Sequence, residues 1–189
     1  MGARDRLIDS AVELMRSNGV SGTGIAQLLE HSGISRRSVY LNFPGGKSEL
    51  IAEATRAAGA AYSALLRTIT AGADVASSVG AFPAIWRDKL AASEFTAGCP
   101  IVAAALGRAE APEAADAAGA TFTEWETILA ERLESEDVAP DLAIALATTV
   151  IAALEGAVVL SLATRSMAPL ERVGAQMAEL IARHTTRAE

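Results

Sequence analysis

The stretch His31-Ser32-Gly33-Ile34-Ser35-Arg36-Arg37-Ser38-Val39-Tyr40-Leu41-Asn42-Phe43-Pro44 carries the reading of this chain. Gly33 can take a positive φ, Ile34 can plug the angle between two helices, and Ser35 can cap a helix running to about Asn42. Pro44-Gly45-Gly46 ends that helix, because the residue before a proline is pushed out of helical geometry and glycines favour a turn. Upstream, Thr23 is the expected cap of a short helix reaching Glu30 or His31, with Ile25, Leu28 and Leu29 inward and Ala26 where a reciprocal Glu would stand. A first helix precedes it from Arg4 to Asn18, stopped by Asn18-Gly19. Two short helices joined by a tight glycine turn form a helix-turn-helix pattern. In its last helix Arg36, Arg37 and Ser38 are polar and early, whereas Val39 and Phe43, four apart, can pack inward. That is the division a recognition helix needs in the major groove. A structural corner in a helical protein has the same spacing.

Outside this stretch the composition points the same way. The chain has 189 residues, of which 51% are apolar and 4% aromatic, and no alternating β-type runs, so an all-α fold with a sizeable core is expected. Its net charge is −7, unevenly spread. Through Lys47 the basic residues Arg4, Arg6, Arg16, Arg36, Arg37 and Lys47 outnumber Asp5, Asp9, Glu13 and Glu30, leaving +2 against −9 for the rest. A slightly basic head on an acidic body suits a DNA-reading module whose body stays off DNA. Ordinary surface variation would give the same tally. The single Cys99 and the charged start Met-Gly-Ala-Arg-Asp-Arg imply a reducing, cytoplasmic setting.

Residues 48–189 read as a helical body, and residues 1–47 as the head. A helix from Lys47 to about Thr70 should link them, followed by one over Val75 to Leu90 that Pro83 kinks or begins. Pro100 opens a short helix ending near Gly107, and Pro112 opens another to about Glu134, with Thr121 and Glu124 at capping-box spacing as a possible second start. Residues 141–164 and 169–184 form a final helical pair. The first of these is apolar enough to span a bilayer, but Glu155 sits in its middle and the flanking charges give no topology signal. A buried helix at a subunit interface is expected, with no membrane involved.

Motifs that suggest enzymes fail on context. Gly45-Gly46-Lys47-Ser48 has the end of a P-loop, but the required first glycine falls at Leu41 and a helix precedes it. Gly19, Gly22 and Gly24 have the wrong order for a dinucleotide fingerprint. His31, His184 and Cys99 are too scattered for a metal site, and no cofactor is expected. Phe82, Trp86, Phe95, Phe122 and Trp125 all fall in the middle of the body, where core packing accounts for such stripes and an apolar ligand pocket is the other reading. Cys99 and Glu155 are further candidates for the pocket; a buried Glu would favour a cationic or hydrogen-bonding ligand.

The run from Arg6 to Leu50 resembles the tetracycline-repressor (TetR) family of bacterial transcriptional regulators, through Leu-Ile-Asp-Ser-Ala-Val-Glu-Leu-Met, Gly-Val-Ser-Gly-Thr-Gly-Ile and Ser-Gly-Ile-Ser-Arg-Arg-Ser-Val-Tyr-Leu-Asn-Phe-Pro. Thr23-Gly24, Phe43 to Lys47 and Gly98 to Pro100 look most like its LmrA/YxaF-type subgroup. The resemblance implies that Thr23, Tyr40 and Lys47 contact the DNA backbone. With the recognition helix, the expected DNA-facing set is Thr23, Ser35, Arg36, Arg37, Ser38, Tyr40, Asn42 and Lys47. Arg37 stands where the family often has Gly, and Leu41 where an aromatic or His is common. The resemblance further implies a homodimer through the last two helices, a palindromic double-stranded operator, and release by a small apolar effector bound in the body. The rival reading is a helical small-molecule-binding protein or enzyme without a DNA target.

Overall fold

A computed structural model describes residues 2–185; residue 1 and residues 186–189, at the outer ends of the two expected domains, lie outside it. Among the described residues all regular structure is helical, in the order α1 (Ala3–Asn18), α2 (Ile25–Ser32), α3 (Arg36–Asn42), α4 (Gly46–Ala71), α5 (Val75–Ala92), α6 (Pro100–Leu106), α7 (Pro112–Glu134), α8 (Pro140–Thr164) and α9 (Ala168–Ala182). The described residues divide into two compact units, one within 1–62 with 97–121 and the other within 63–96 with 122–189. Compactness therefore groups the first part of α4, α6 and the first part of α7 with the head.

In the first unit α1 packs against α2, α3 and α6. Its buried face is Leu7, Ala11 and Met15, joined by Leu28 of α2, Val39 of α3 and Phe43 just beyond it, all inaccessible to solvent. Gly33 closes α2 in the left-handed conformation, φ 65°, as the turn requires. Arg6 reaches across from α1 to donate from Nη2 to the Ser32 carbonyl (3.0 Å). The loop before α6 is tied to α1 twice: the Gly98 N–H donates to the Arg16 carbonyl (2.9 Å) and Arg16 Nε to the Gly98 carbonyl (3.1 Å).

One local expectation is corrected here. Thr23 does not cap α2; Gly24 occupies that position, with no side-chain cap. The Thr23 side chain is fully buried, and its hydroxyl donates to the Gly19 carbonyl (2.7 Å), an acceptor left over at the end of α1. At α7 the choice between one helix and two resolves to one. Gly119 lies inside it, and the Thr121 hydroxyl bonds back to the Ala117 carbonyl (3.0 Å) instead of capping a new start. Gly59 of α4 gives Thr121 its room, since a methyl group there would overlap the threonine side chain.

The second unit is built on α5, α8 and α9, with α9 packed on both of the others. Asp74 caps α5, accepting from the Ser77 N–H (2.8 Å), so Pro83 lies inside the helix and does not begin it. The crowding of Pro83 is accommodated on α9 by Gly174, where an added Cβ would come 2.6 Å from Pro83 Cγ and 3.1 Å from Cδ. A ring fixed in a helix cannot swing aside. Gly174→Ala is therefore expected to destabilise by about 1–3 kcal/mol from overpacking, outweighing the gain of about 1 kcal/mol in helix propensity. Thermal denaturation followed by circular dichroism should show a lower Tm for the single variant and recovery in Pro83→Ala/Gly174→Ala.

Arg132 ties three helix ends of this unit together. Its Nε donates to the Thr70 carbonyl at the end of α4 (2.9 Å) and its Nη2 pairs with Glu136 (3.2 Å), whose carboxylate accepts from the Val75 N–H at the start of α5 (2.9 Å). An orphan carbonyl and an orphan N–H are thus satisfied by one ion pair.

Candidate nucleic-acid interface

The recognition segment is short and held from both ends. Ser35 caps α3, its hydroxyl oxygen accepting from the Ser38 N–H (3.3 Å). At the other end the Asn42 amide donates to the Ser38 carbonyl (2.8 Å) and hydroxyl (3.3 Å), so Asn42 and Ser38 brace the helix and are half-buried. Val39 and Phe43 anchor it in the core, and the Arg4 guanidinium lies over the Phe43 ring, 5.2 Å from its centroid. Arg36 and Arg37 are exposed, with no hydrogen-bonding or ionic partner among the described residues. A fixed helix thus presents two unpaired guanidinium groups outward, each able to form paired hydrogen bonds to a guanine edge or to grip a phosphate.

The other expected DNA-facing residues divide. Tyr40 is 47% exposed on α3. Lys47, half-buried at the start of α4, donates from Nζ to the Val20 carbonyl (2.9 Å), which holds its charge beside the α1–α2 turn. Thr23 is shut away from the surface, so the direct backbone contact expected of it gives way to a role in bracing that turn. Leu41, 70% exposed, is the surface residue of α3 that lay outside the expected set.

In the body, Phe82 and Trp86 pair on α5 (6.3 Å between centroids), and Phe122 and Trp125 meet edge to face on α7 (5.4 Å). Trp86 and Trp125 are buried; Phe82, Phe95 and Phe122 are half-buried. Phe95 follows α5 with φ 59°. Glu155 is half-buried on α8, with Oε2 closed off from solvent. Cys99, buried at the start of α6, belongs to the other compact unit.

Beside Trp125 lies a polar chain that the sequence reading missed. Trp125 Nε1 donates to Ser63 Oγ (3.2 Å), Ser63 donates to Glu124 Oε2 (2.7 Å), and Arg67 Nη2 donates to Glu124 Oε1 (2.9 Å). The Ser63 hydroxyl, together with the Arg67 guanidinium, holds the Glu124 carboxyl below its ordinary range against an opposing effect of burial. The spacing of Ser63 and Arg67, four apart on α4, was the available signal.

Comparison with known proteins agrees with this geometry. Residues 7–54 match the family model described as bacterial regulatory proteins, tetR family, and residues 75–176 match the C-terminal domain of LmrA/YxaF-like transcriptional regulators. An HTH-type transcriptional regulator of Mycobacterium tuberculosis is 34% identical over 187 residues, covering 95% of this chain and 94% of its own. The HTH-type transcriptional regulator LmrA of Bacillus subtilis is 26% identical over 183 residues, covering 96% and 97%. In fold, a TetR regulatory protein of Rhodobacter sphaeroides superposes with a TM-score of 0.83 at 18% identity, covering 97% of this chain and 99% of that one. A TetR regulator of Legionella pneumophila gives 0.84 at 17% identity, covering 98% of each. A DNA-reading head, an all-helical body and both family matches converge: the chain belongs to the TetR family of transcriptional regulators, in its LmrA/YxaF-like branch, and is a DNA-binding regulator and not an enzyme.

Proposed function

We propose that the protein is a homodimeric repressor that leaves a palindromic operator when a small apolar molecule binds its body. The observation that carries this reading is α3, a helix anchored by two buried side chains with two partner-free arginines turned outward. Base and phosphate contacts are assigned to Arg36 and Arg37, with Tyr40 and Lys47 on the backbone and Ser35, Ser38 and Asn42 fixing the helix. The head is read as residues 1–47 and the body as residues 48–189. Phe82, Trp86, Phe95, Phe122, Trp125 and Glu155 are the proposed source of the effector pocket's walls. The effector must bind the DNA-competent and released states unequally to shift between them.

Dimerisation is assigned to α8 and α9. Ala145, Ala152, Gly156 and Ala163 recur along one exposed face of α8, flanked by Leu142, Ile144, Val159 and Leu160. Small residues at the centre allow two helices to approach closely, and burying the flanking apolar side chains would drive association. This accounts for the apolar length of α8, in the cytoplasmic setting expected from the sequence, without a membrane.

The direct test is binding of the full chain to DNA from upstream of its own gene, titrated against salt. Affinity should fall by about 10³–10⁵ between about 50 and 200 mM salt if about six to ten phosphates are neutralised. An apolar compound that raises the thermal transition should release that DNA. Gly156→Glu tests the dimer face, since nothing lies within 4 Å of the added Cβ and the protomer itself is not strained. Sedimentation should show monomers, with operator binding lost. A Gly156→Glu protein that stays dimeric would move the interface elsewhere.

A further inference from the structure

We infer that Leu41 is a base-reading residue that takes the 5-methyl group of a thymine in the operator's major groove. The inference rests on α3 being the DNA-reading helix. Val39 and Phe43, both fully buried, define the inward side of α3. At about 100° per residue, the outward direction opposite their midpoint falls on residue 41. Leu41 therefore stands at the apex of the exposed face, 70% exposed, one turn beyond Arg37 and beside Tyr40.

A leucine there has no donor or acceptor to offer a phosphate or a base edge. The groove floor has one apolar feature, the thymine methyl, and contact with it removes apolar surface from water on both sides. The neighbouring side chains divide the remaining tasks. Arg36 and Arg37 hold the charges, the Tyr40 hydroxyl suits the backbone, and the half-buried Ser38 hydroxyl accepts from the Asn42 amide. The apex of the helix is left to a side chain that discriminates by shape and dryness.

The test starts with selection of binding sites by the full chain from random-sequence duplex DNA. In synthetic duplexes of the recovered site, each thymidine is then replaced by deoxyuridine, symmetrically in both half-sites. This removes the methyl and keeps base pairing and every hydrogen-bonding group. One position should weaken binding by about fourfold per methyl, or about fifteenfold for the symmetric pair. Leu41→Ala, with its fold checked by circular dichroism, should bind the thymidine and deoxyuridine duplexes within about twofold of each other. The inference is overturned if no deoxyuridine replacement weakens the unsubstituted protein, or if the loss persists unchanged in Leu41→Ala. Recovery of no sequence at all would overturn the DNA-reading assignment of α3 along with it, so the two failures are distinguishable.

Discussion

Replacing Arg36 and Arg37 together by alanine is expected to lower operator affinity by at least about 10³-fold while leaving helix content, dimerisation and the thermal transition unchanged. The structural cost is small because both side chains are exposed and have no partner among the described residues, and surface changes of that kind usually stay within about 0.5 kcal/mol. The binding cost is large because a dimer loses four guanidinium groups. A paired hydrogen-bonding contact to a base is worth about 1–3 kcal/mol, so even the low end gives about 4 kcal/mol, or three orders of magnitude. Fluorescence anisotropy on a labelled operator measures it. The salt dependence separates the roles: each lost phosphate contact should reduce the slope by about one, whereas lost base contacts leave the slope and abolish discrimination against competitor DNA. Operator binding within tenfold of the parent would remove these two residues from the interface.

Phe43→Ala should have the largest effect on folding. Phe43 is the bulkiest fully buried side chain among the described residues, closes α3 and carries the Arg4 guanidinium over its ring. Truncating a buried phenylalanine costs about 3–5 kcal/mol through lost transfer energy and the cavity left behind. That is comparable to a substantial part of a domain's stability of about 5–15 kcal/mol. The expected result is loss of protection in hydrogen exchange across α1, α2 and α3 and loss of operator binding at 37 °C. An unchanged exchange pattern would mean that Val39 and Leu28 hold α3 without it.

These two variants bear on what could be read from the residues alone. The recognition helix was legible because its signals are local: Gly33 in the turn, Ser35 at the cap and Pro44 past the end act within a few residues of one another. Thr23 was misread for a related reason. Its position suits a cap, but the α1–α2 turn closes so that Gly24 takes the capping position and the Thr23 hydroxyl turns inward to donate to the Gly19 carbonyl. Pro83 reads as a kink or a start; the Asp74 cap places it inside α5, and the room for its ring comes from Gly174, far along the chain. Gly119 lies within a single α7 although Thr121 and Glu124 have the spacing of a fresh start. The Trp125, Ser63, Glu124 and Arg67 chain joins α4 to α7, and sequence spacing fixes neither the pairing nor the register of two helices.

The pairing of Pro83 with Gly174 also constrains the order in which this sequence could change. Proline at 83 makes a larger residue at 174 costly, whereas glycine at 174 leaves room for either proline or the smaller alanine at the buried position 83. A lineage that reaches alanine at both positions must lose the proline first; the reverse order passes through an overpacked intermediate. The dependence runs one way: substitution at 174 is harmful or acceptable according to whether Pro83 is still present, whereas loss of Pro83 does not wait on residue 174.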